Sequence, residues 1–181
     1  MTTFVALLRG INVSGRNAIQ MADLQQSFAS LNFDDVRTYL QSGNVVFTAS
    51  RTDADKLATV IRDRIAGDLR HHLNVLVMPA KELDTIASSN PLWPRPGAGE
   101  TLFHATFLFQ PVSQNVFRKL ELPARAGEQA VLVGQAILLF CPYGYGKTKL
   151  NNGFFEKAFG VPATTRNWRT VLALRDLCAK R

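Results

Sequence analysis

The residues best equipped for chemistry fall late in the chain. Lys147 and Lys149 belong to a glycine- and tyrosine-rich stretch, Cys141-Pro142-Tyr143-Gly144-Tyr145-Gly146-Lys147-Thr148, and Arg166 and Asn167 follow in Ala163-Thr164-Thr165-Arg166-Asn167-Trp168. A lysine ammonium supplies a point charge, and a guanidinium grips a phosphate or carboxylate through two parallel bonds. Each stretch is expected to lead into a helix, the first over Lys149 to Phe159 and the second from about Arg166 to Cys178. Helix N-termini point unpaired N–H groups outward and favour anions. The chemistry expected here is binding of a phosphorylated or other anionic small molecule by Lys147, Arg166 and Asn167. Arg9 and Asn12 are further candidates, because Gly10 and Gly15 beside them allow a ligand close to the backbone.

More specific chemistries find less support. Gly146-Lys147-Thr148 matches the end of a phosphate-binding P-loop, GxxxxGK[ST], but its first glycine position holds Cys141, which does not readily take up the required backbone conformation. No strand ends in an aspartate suited to magnesium. Two cysteines, Cys141 and Cys178, form no CxxC pair and lack the usual zinc spacings, so both read as small buried hydrophobes. The histidines are His71, His72 and His104. None has a serine or cysteine partner in a recognisable elbow, so no nucleophile or base is nominated. No metal or nucleotide cofactor is indicated.

The net charge of +7 is uneven. Residues 1–90 carry nine Lys/Arg and nine Asp/Glu, whereas the last forty carry eight basic side chains against Glu156 and Asp176. A basic quarter favours an anionic partner, either a small molecule or a nucleic acid; a solvated cationic face would account for it equally well. Phe4 to Leu8 is too short an apolar run for a signal peptide and has no basic region before it. No stretch is long enough to span a bilayer, so a cytoplasmic protein is expected, without a membrane partner.

The elements that must position these residues follow from periodicity. Thr3 to Arg9 reads as a strand, Met21, Leu24, Phe28 and Leu31 as a helix, and Val36 to Gln41 and Val45 to Thr48 as a hairpin around Ser42-Gly43-Asn44. Leu57, Ile61, Ile65, Leu69 and Leu73 stripe a helix starting near Asp53, and Asn74 to Met78 is a strand closed by Pro79. That β-α-β-β-α-β order is ferredoxin-like. A short helix and the proline-rich segment Asn90 to Gly99 follow. The order then repeats: strand Leu102 to Phe109, helix Ser113 to Leu120, strands Gln129 to Val133 and Ala136 to Phe140, a helix, and a short strand Val161 to Thr164. The expected fold is α+β, two ferredoxin-like subdomains with antiparallel sheets plus a C-terminal helix. Residues 1–79 and 102–181 form the subdomains and 80–101 the connection.

Three stretches carry a resemblance: Leu8-Arg9-Gly10-Ile11-Asn12-Val13, Thr38 to Phe47, and Thr164 to Val171. They are similar to the signature stretches of domain-of-unknown-function family 1697, uncharacterised bacterial proteins of about this length. The resemblance implies paired ferredoxin-like subdomains and no established activity. Strands one and three of such a module are expected to run parallel, which would put the Ser42-Gly43-Asn44 hairpin at the opposite end from Arg9. Phe4 and Phe47 provide no aromatic doublet for stacking RNA on the first sheet. Tyr143 and Tyr145 beside lysines match the pattern of single-strand nucleic-acid binding. A second alternative is an enzyme whose active site follows no familiar motif. A structural role is a third, since exposed sheet edges on small modules can pair with a protein partner. The sequence leaves the oligomeric state open.

Overall fold

The computed structural model describes residues 1–12, 18–50 and 53–180. The first six elements are β1 (Thr2–Leu8), α1 (Met21–Ala29), β2 (Asp34–Tyr39), β3 (Asn44–Ala49), α2 (Ala54–Leu69) and β4 (Val75–Pro79). Their sheet has the order β2-β3-β1-β4, with every pairing antiparallel. After α3 (Ala80–Ser88) the plan recurs as β5 (Phe103–Leu108), α4 (Gln114–Arg118), β6 (Gln129–Val133), β7 (Ala136–Phe140), α5 (Asn152–Phe159) and β8 (Ala163–Asn167), closed by α6 (Trp168–Ala179). The second sheet, β6-β7-β5-β8, is also antiparallel throughout. This is the expected α+β architecture of two ferredoxin-like subdomains and a C-terminal helix. The compact units are Met1–Leu83 with Leu174–Arg181, and Asp84–Ala173.

Strand alternation puts Phe4, Ala6 and Leu8 of β1 on the helix-covered face of the first sheet. There they join Val45 and Phe47 of β3, Leu24 and Phe28 of α1, and Leu57, Ile61 and Ile65 of α2 in one core. Phe47 lies 5.7 Å from Phe4 and 5.5 Å from Phe28, ring centre to ring centre. Both candidate stacking phenylalanines of this sheet are thus interior side chains. Asp53 caps α2 by accepting from the Lys56 N–H at 3.1 Å. The helix stops at Leu69, short of Leu73, because Arg70 turns left-handed at φ 60°. In the second unit the equivalent core gathers Leu108, Ile137, Leu139, Leu150, Phe155 and Ala163. Among the described residues no helix is long and apolar enough to cross a membrane.

Two expectations about direction and boundary change. β1 and β3 run antiparallel, with Leu7 opposite Asn44, so the Ser42-Gly43 turn lies beside the end of β1 and not at the far end of the sheet. The last strand extends to Asn167 because its ladder with β5 continues through Arg166 opposite Ala105 and Asn167 opposite His104. Arg166 and Asn167 therefore belong to a strand, and α6 begins only at Trp168.

Candidate functional site

In the first unit the loop after β1 is tied to the hairpin by backbone and side chain together. Leu8 donates its N–H to the Gly43 carbonyl at 2.8 Å, and Asn12, at φ 51°, donates Nδ2–H to the carbonyls of Gln41 (2.8 Å) and Ile19 (3.0 Å). Its Oδ1 accepts from the Ile19 N–H at 2.9 Å. Asn12 is thereby a staple holding two separate parts of the chain, with three of its polar contacts directed at backbone. The hairpin is fixed similarly: Asn44 Nδ2 donates to the Tyr39 carbonyl and to Ser42 Oγ, both at 2.9 Å. A cleft of about 460 Å³ opens here, lined by Asn12, Gln41 and the first residues of α1, whose N-cap Gln20 makes no side-chain capping bond. Arg9 is half-buried at the end of β1. Gly15 and Val13 lie outside the described residues.

In the second unit β7 leads into Cys141 and a tightly turned loop. Gly144 donates its N–H to the Cys141 carbonyl, Lys147 to that of Gly144, and Thr148 to that of Tyr145, at 2.9, 3.1 and 3.3 Å. These amides close turns and face inward. In a P-loop they would instead point at a phosphate, so the resemblance to GxxxxGK[ST] does not extend to geometry. The 3₁₀ turn Tyr145–Lys147 is followed by extended chain, since Thr148 Oγ1 accepts from the Leu150 N–H. α5 accordingly starts at Asn152 and not at Lys149. Asn151 caps it by accepting from Phe154 N–H at 3.1 Å.

The loop is held from below by a polar cluster. The Tyr145 ring stacks on His104, 4.6 Å between centres, and its hydroxyl donates to Thr165 Oγ1 at 3.0 Å. Thr165 donates its single hydroxyl hydrogen to Asn152 Oδ1 at 2.6 Å. The 2.7 Å contact between Thr106 and Thr165 must then be donated by Thr106. One hydroxyl thus ties β5, β8, α5 and the loop together. Burial pushes the His104 imidazole down to about 4, so it is neutral near pH 7, and its buried Nδ1 has no hydrogen-bond partner. Burial also raises the Tyr145 phenol, against the lowering effect of its bond with Thr165. Sequence reasoning did not assemble this cluster.

The candidate residues separate around this frame. Lys147 and Lys149 are exposed on the loop. Arg166, only 8% exposed, is on the opposite face of β8 from Thr165, as strand alternation requires, and its Nη1 donates to Thr164 Oγ1 (2.8 Å) and the Thr165 carbonyl (3.0 Å). Burial pushes its guanidinium down to about 10, leaving it charged near neutrality. Asn167 caps α6 by accepting from the Thr170 N–H at 2.8 Å. β8 therefore directs Thr165 toward the loop and Arg166 away from it. Cys141 is fully buried, and burial, reinforced by the Glu128 charge, pushes its thiol up to about 11. It stays protonated and serves as packing. Among the described residues no group of three or more His, Cys, Asp or Glu side chains could hold a metal ion.

A family model described as "Protein of unknown function (DUF1697)" matches residues 1–138, and the chain belongs to that family. The match includes the loop after β1 and the hairpin it meets, and ends before the Cys141–Leu150 loop and the Thr164–Val171 stretch. No curated protein matches the chain. Among solved structures, the conserved bacterial protein SP0830 from Streptococcus pneumoniae is similar in fold, with a TM-score of 0.76 at 22% identity over 98% of both chains.

Proposed function

We propose that this family member binds a phosphorylated or other anionic small molecule at the Cys141–Leu150 loop, with Lys147 and Lys149 as the cationic contacts. The observation carrying this reading is the polar brace under the loop. Tyr145 is fastened to Thr165 and His104, so a segment presenting two exposed lysines is held in one conformation instead of fluctuating. A pre-organised cationic loop loses less conformational entropy on binding than a mobile one. Arg166 and Asn167 support the site through the strand and helix they stabilise and make no direct contact with the ligand. The site is open to solvent, so its affinity falls as salt rises. A cytoplasmic location, where phosphorylated metabolites abound, goes with this reading.

A thermal-shift and calorimetric comparison of wild type, Lys147→Ala and Lys149→Ala tests it, using inorganic phosphate and ribose 5-phosphate at low and high salt. The expected result is stabilisation at low salt that declines in both variants while their ligand-free melting temperatures stay near wild type. Absence of any shift with either phosphate at low salt would sink the reading. Arg166→Ala should lower the ligand-free melting temperature instead, because it removes a buried side chain with its hydrogen bonds.

A further inference from the structure

Resting on that reading, we infer that the anion carries a planar ring, and that Tyr143 is the platform on which this single ring stacks. The two loop tyrosines have opposite surroundings. Tyr145 is engaged on its face by His104 and at its hydroxyl by Thr165. Tyr143 is 49% exposed, yet its position is fixed, because its hydroxyl donates to the Ala126 carbonyl at 2.9 Å. The turn that accepts this bond is itself secured: Arg125 donates its N–H to Glu128 Oε2 at 2.8 Å, and Glu128 returns its N–H to the Arg125 carbonyl at 3.0 Å. A Cβ placed on Gly127 of that turn would lie 3.7 Å from Pro142 Cγ, the residue before Tyr143. An exposed aromatic anchored at its tip offers a ring face at little entropic cost.

The surroundings of this ring suit a nucleotide-like molecule. Apart from the residues that adjoin them in the chain, Gly144 and Gly146 have no heavy atom within 4 Å of where a Cβ would stand, so no other part of the protein crowds the loop at these two positions. Lys147 is four residues away, at most about 14 Å along even a fully extended chain. Exposed Arg125 adjoins Ala126 at the other end of the tyrosine. A ring on Tyr143 therefore has a cation within reach on either side for its phosphoryl group. Successive bases of a bound strand need a series of free aromatics, and Tyr145 is committed inward. That favours one ring, as in a nucleoside monophosphate, over an oligonucleotide.

The experiment is calorimetric titration of wild type, Tyr143→Ala and Tyr143→Phe with ribose 5-phosphate, adenosine 5′-phosphate, adenosine and a short single-stranded oligonucleotide, with thermal melts confirming that the variants fold. In wild type the ring-bearing phosphate should bind roughly 5- to 100-fold tighter than ribose 5-phosphate. Tyr143→Ala should erase that preference, bringing the two phosphates to equal affinity, while Tyr143→Phe retains most of it. Equal binding of the two phosphates to wild type, or a preference that survives Tyr143→Ala, overturns the inference and leaves anion binding standing. Oligonucleotide affinity rising with length above that of the monophosphate also overturns it. If neither phosphate binds at low salt, the anion-binding reading fails and takes this inference with it.

Discussion

The two units follow the same plan down to individual backbone bonds and differ in what they place on it. Leu8 donates to the hairpin carbonyl of Gly43 and Arg9 to that of Asn74; Leu108 donates to the hairpin carbonyl of Gln135 and Phe109 to that of Pro162. The ladders match as well. Ala6 pairs with Val45 and Val77, where Thr106 pairs with Ile137 and Thr165. Phe4 faces Phe47 and Pro79, where His104 faces Leu139 and Asn167. So the positions that hold Phe4, Ala6 and Val77 in the first unit hold His104, Thr106 and Thr165 in the second. The fold accepts an apolar core there, as the first unit demonstrates, so the polar cluster is an addition that the topology does not require. The conspicuous loops also differ in place. Arg9 and Asn12 follow the C-terminal end of β1, whereas the cationic loop lies at the N-terminal end of β5, the opposite end of the equivalent sheet.

The largest test of this comparison sets one hairpin glycine against the other. A Cβ on Gly43, at φ 74°, would stand 2.8 Å from Leu8 Cβ and 2.9 Å from Ile11 Cδ1, whereas on Gly134, at φ 56°, its nearest neighbour is Ile86 Cγ1 at 3.7 Å. Gly43→Ala combines left-handed strain with overpacking and is expected to cost about 2–4 kcal/mol. Gly134→Ala has only the strain, about 1–2 kcal/mol. Chemical denaturation of both variants checks the ranking, and equal losses would mean the first hairpin is not closed on the loop after β1.

Exchanging the distinguishing hydroxyl comes next. Thr165→Val leaves Tyr145, Thr106 and Asn152 without their shared partner and should cost about 1–3 kcal/mol despite its near-identical volume. The reciprocal Val77→Thr buries a hydroxyl among apolar neighbours and should cost a similar amount. If Thr165→Val were neutral, the cluster would contribute nothing to holding the loop, and the basis for a pre-organised site would be gone.

These contrasts show which parts of the molecule were legible in advance. The apolar stripe of α2 and the continuous apolar run of β1 placed both elements, because a helix buried on one face and a strand buried on both call for those patterns. The direction of β1 against β3 could not be read from periodicity, and the wrong direction separated Asn12 from Gln41, which in fact share a hydrogen bond. The extent of β8 was missed because Thr164-Thr165-Arg166-Asn167 is as polar as a helix cap, and pairing with β5 decided the matter. The brace was invisible for another reason: residues 104, 106, 145, 152 and 165 have no local spacing and meet only through topology. One trace of it existed in the sequence. His104 and Thr106 alternate with Ala105 inside an otherwise apolar strand, marking a polar inward face.

The orphaned imidazole makes a smaller, pH-dependent contrast. His104 titrates near 6.5 in an unfolded chain but only near 4 when folded, since burial disfavours its charged form. Between those values the unfolded state binds the extra proton, so stability is present above about pH 6.5 and declines as pH falls toward 4. The contribution to the slope is at most about 1.4 kcal/mol per pH unit. His104→Phe, which installs the residue type of Phe4 at the equivalent position, should remove that component. Denaturation midpoints of wild type and variant across this window should converge or diverge with pH, the wild type losing ground as the solution becomes more acidic, and parallel curves would contradict the neutral, buried state of the ring.

The smallest effect on stability is the most informative about the loop. Gly144 has φ 88° and needs glycine for its conformation, whereas Gly146 has no left-handed φ and, apart from its neighbours in the chain, no heavy atom within 4 Å of a Cβ. Gly144→Ala should therefore cost about 1–2 kcal/mol, and Gly146→Ala should fall within about 0.5 kcal/mol of wild type. Neither packing nor backbone geometry gives a reason for glycine at 146; on the proposed reading, close approach of a ligand to the loop would supply one. Gly146→Ala is thus expected to melt like wild type and to bind ribose 5-phosphate more weakly, since the added methyl stands where the ligand would pass beside Lys147. If its affinity matches that of wild type while Lys147→Ala still weakens binding, the anion meets the lysine side chain away from the backbone crest, and pre-organisation of the loop has less to do with recognition than the charge it carries.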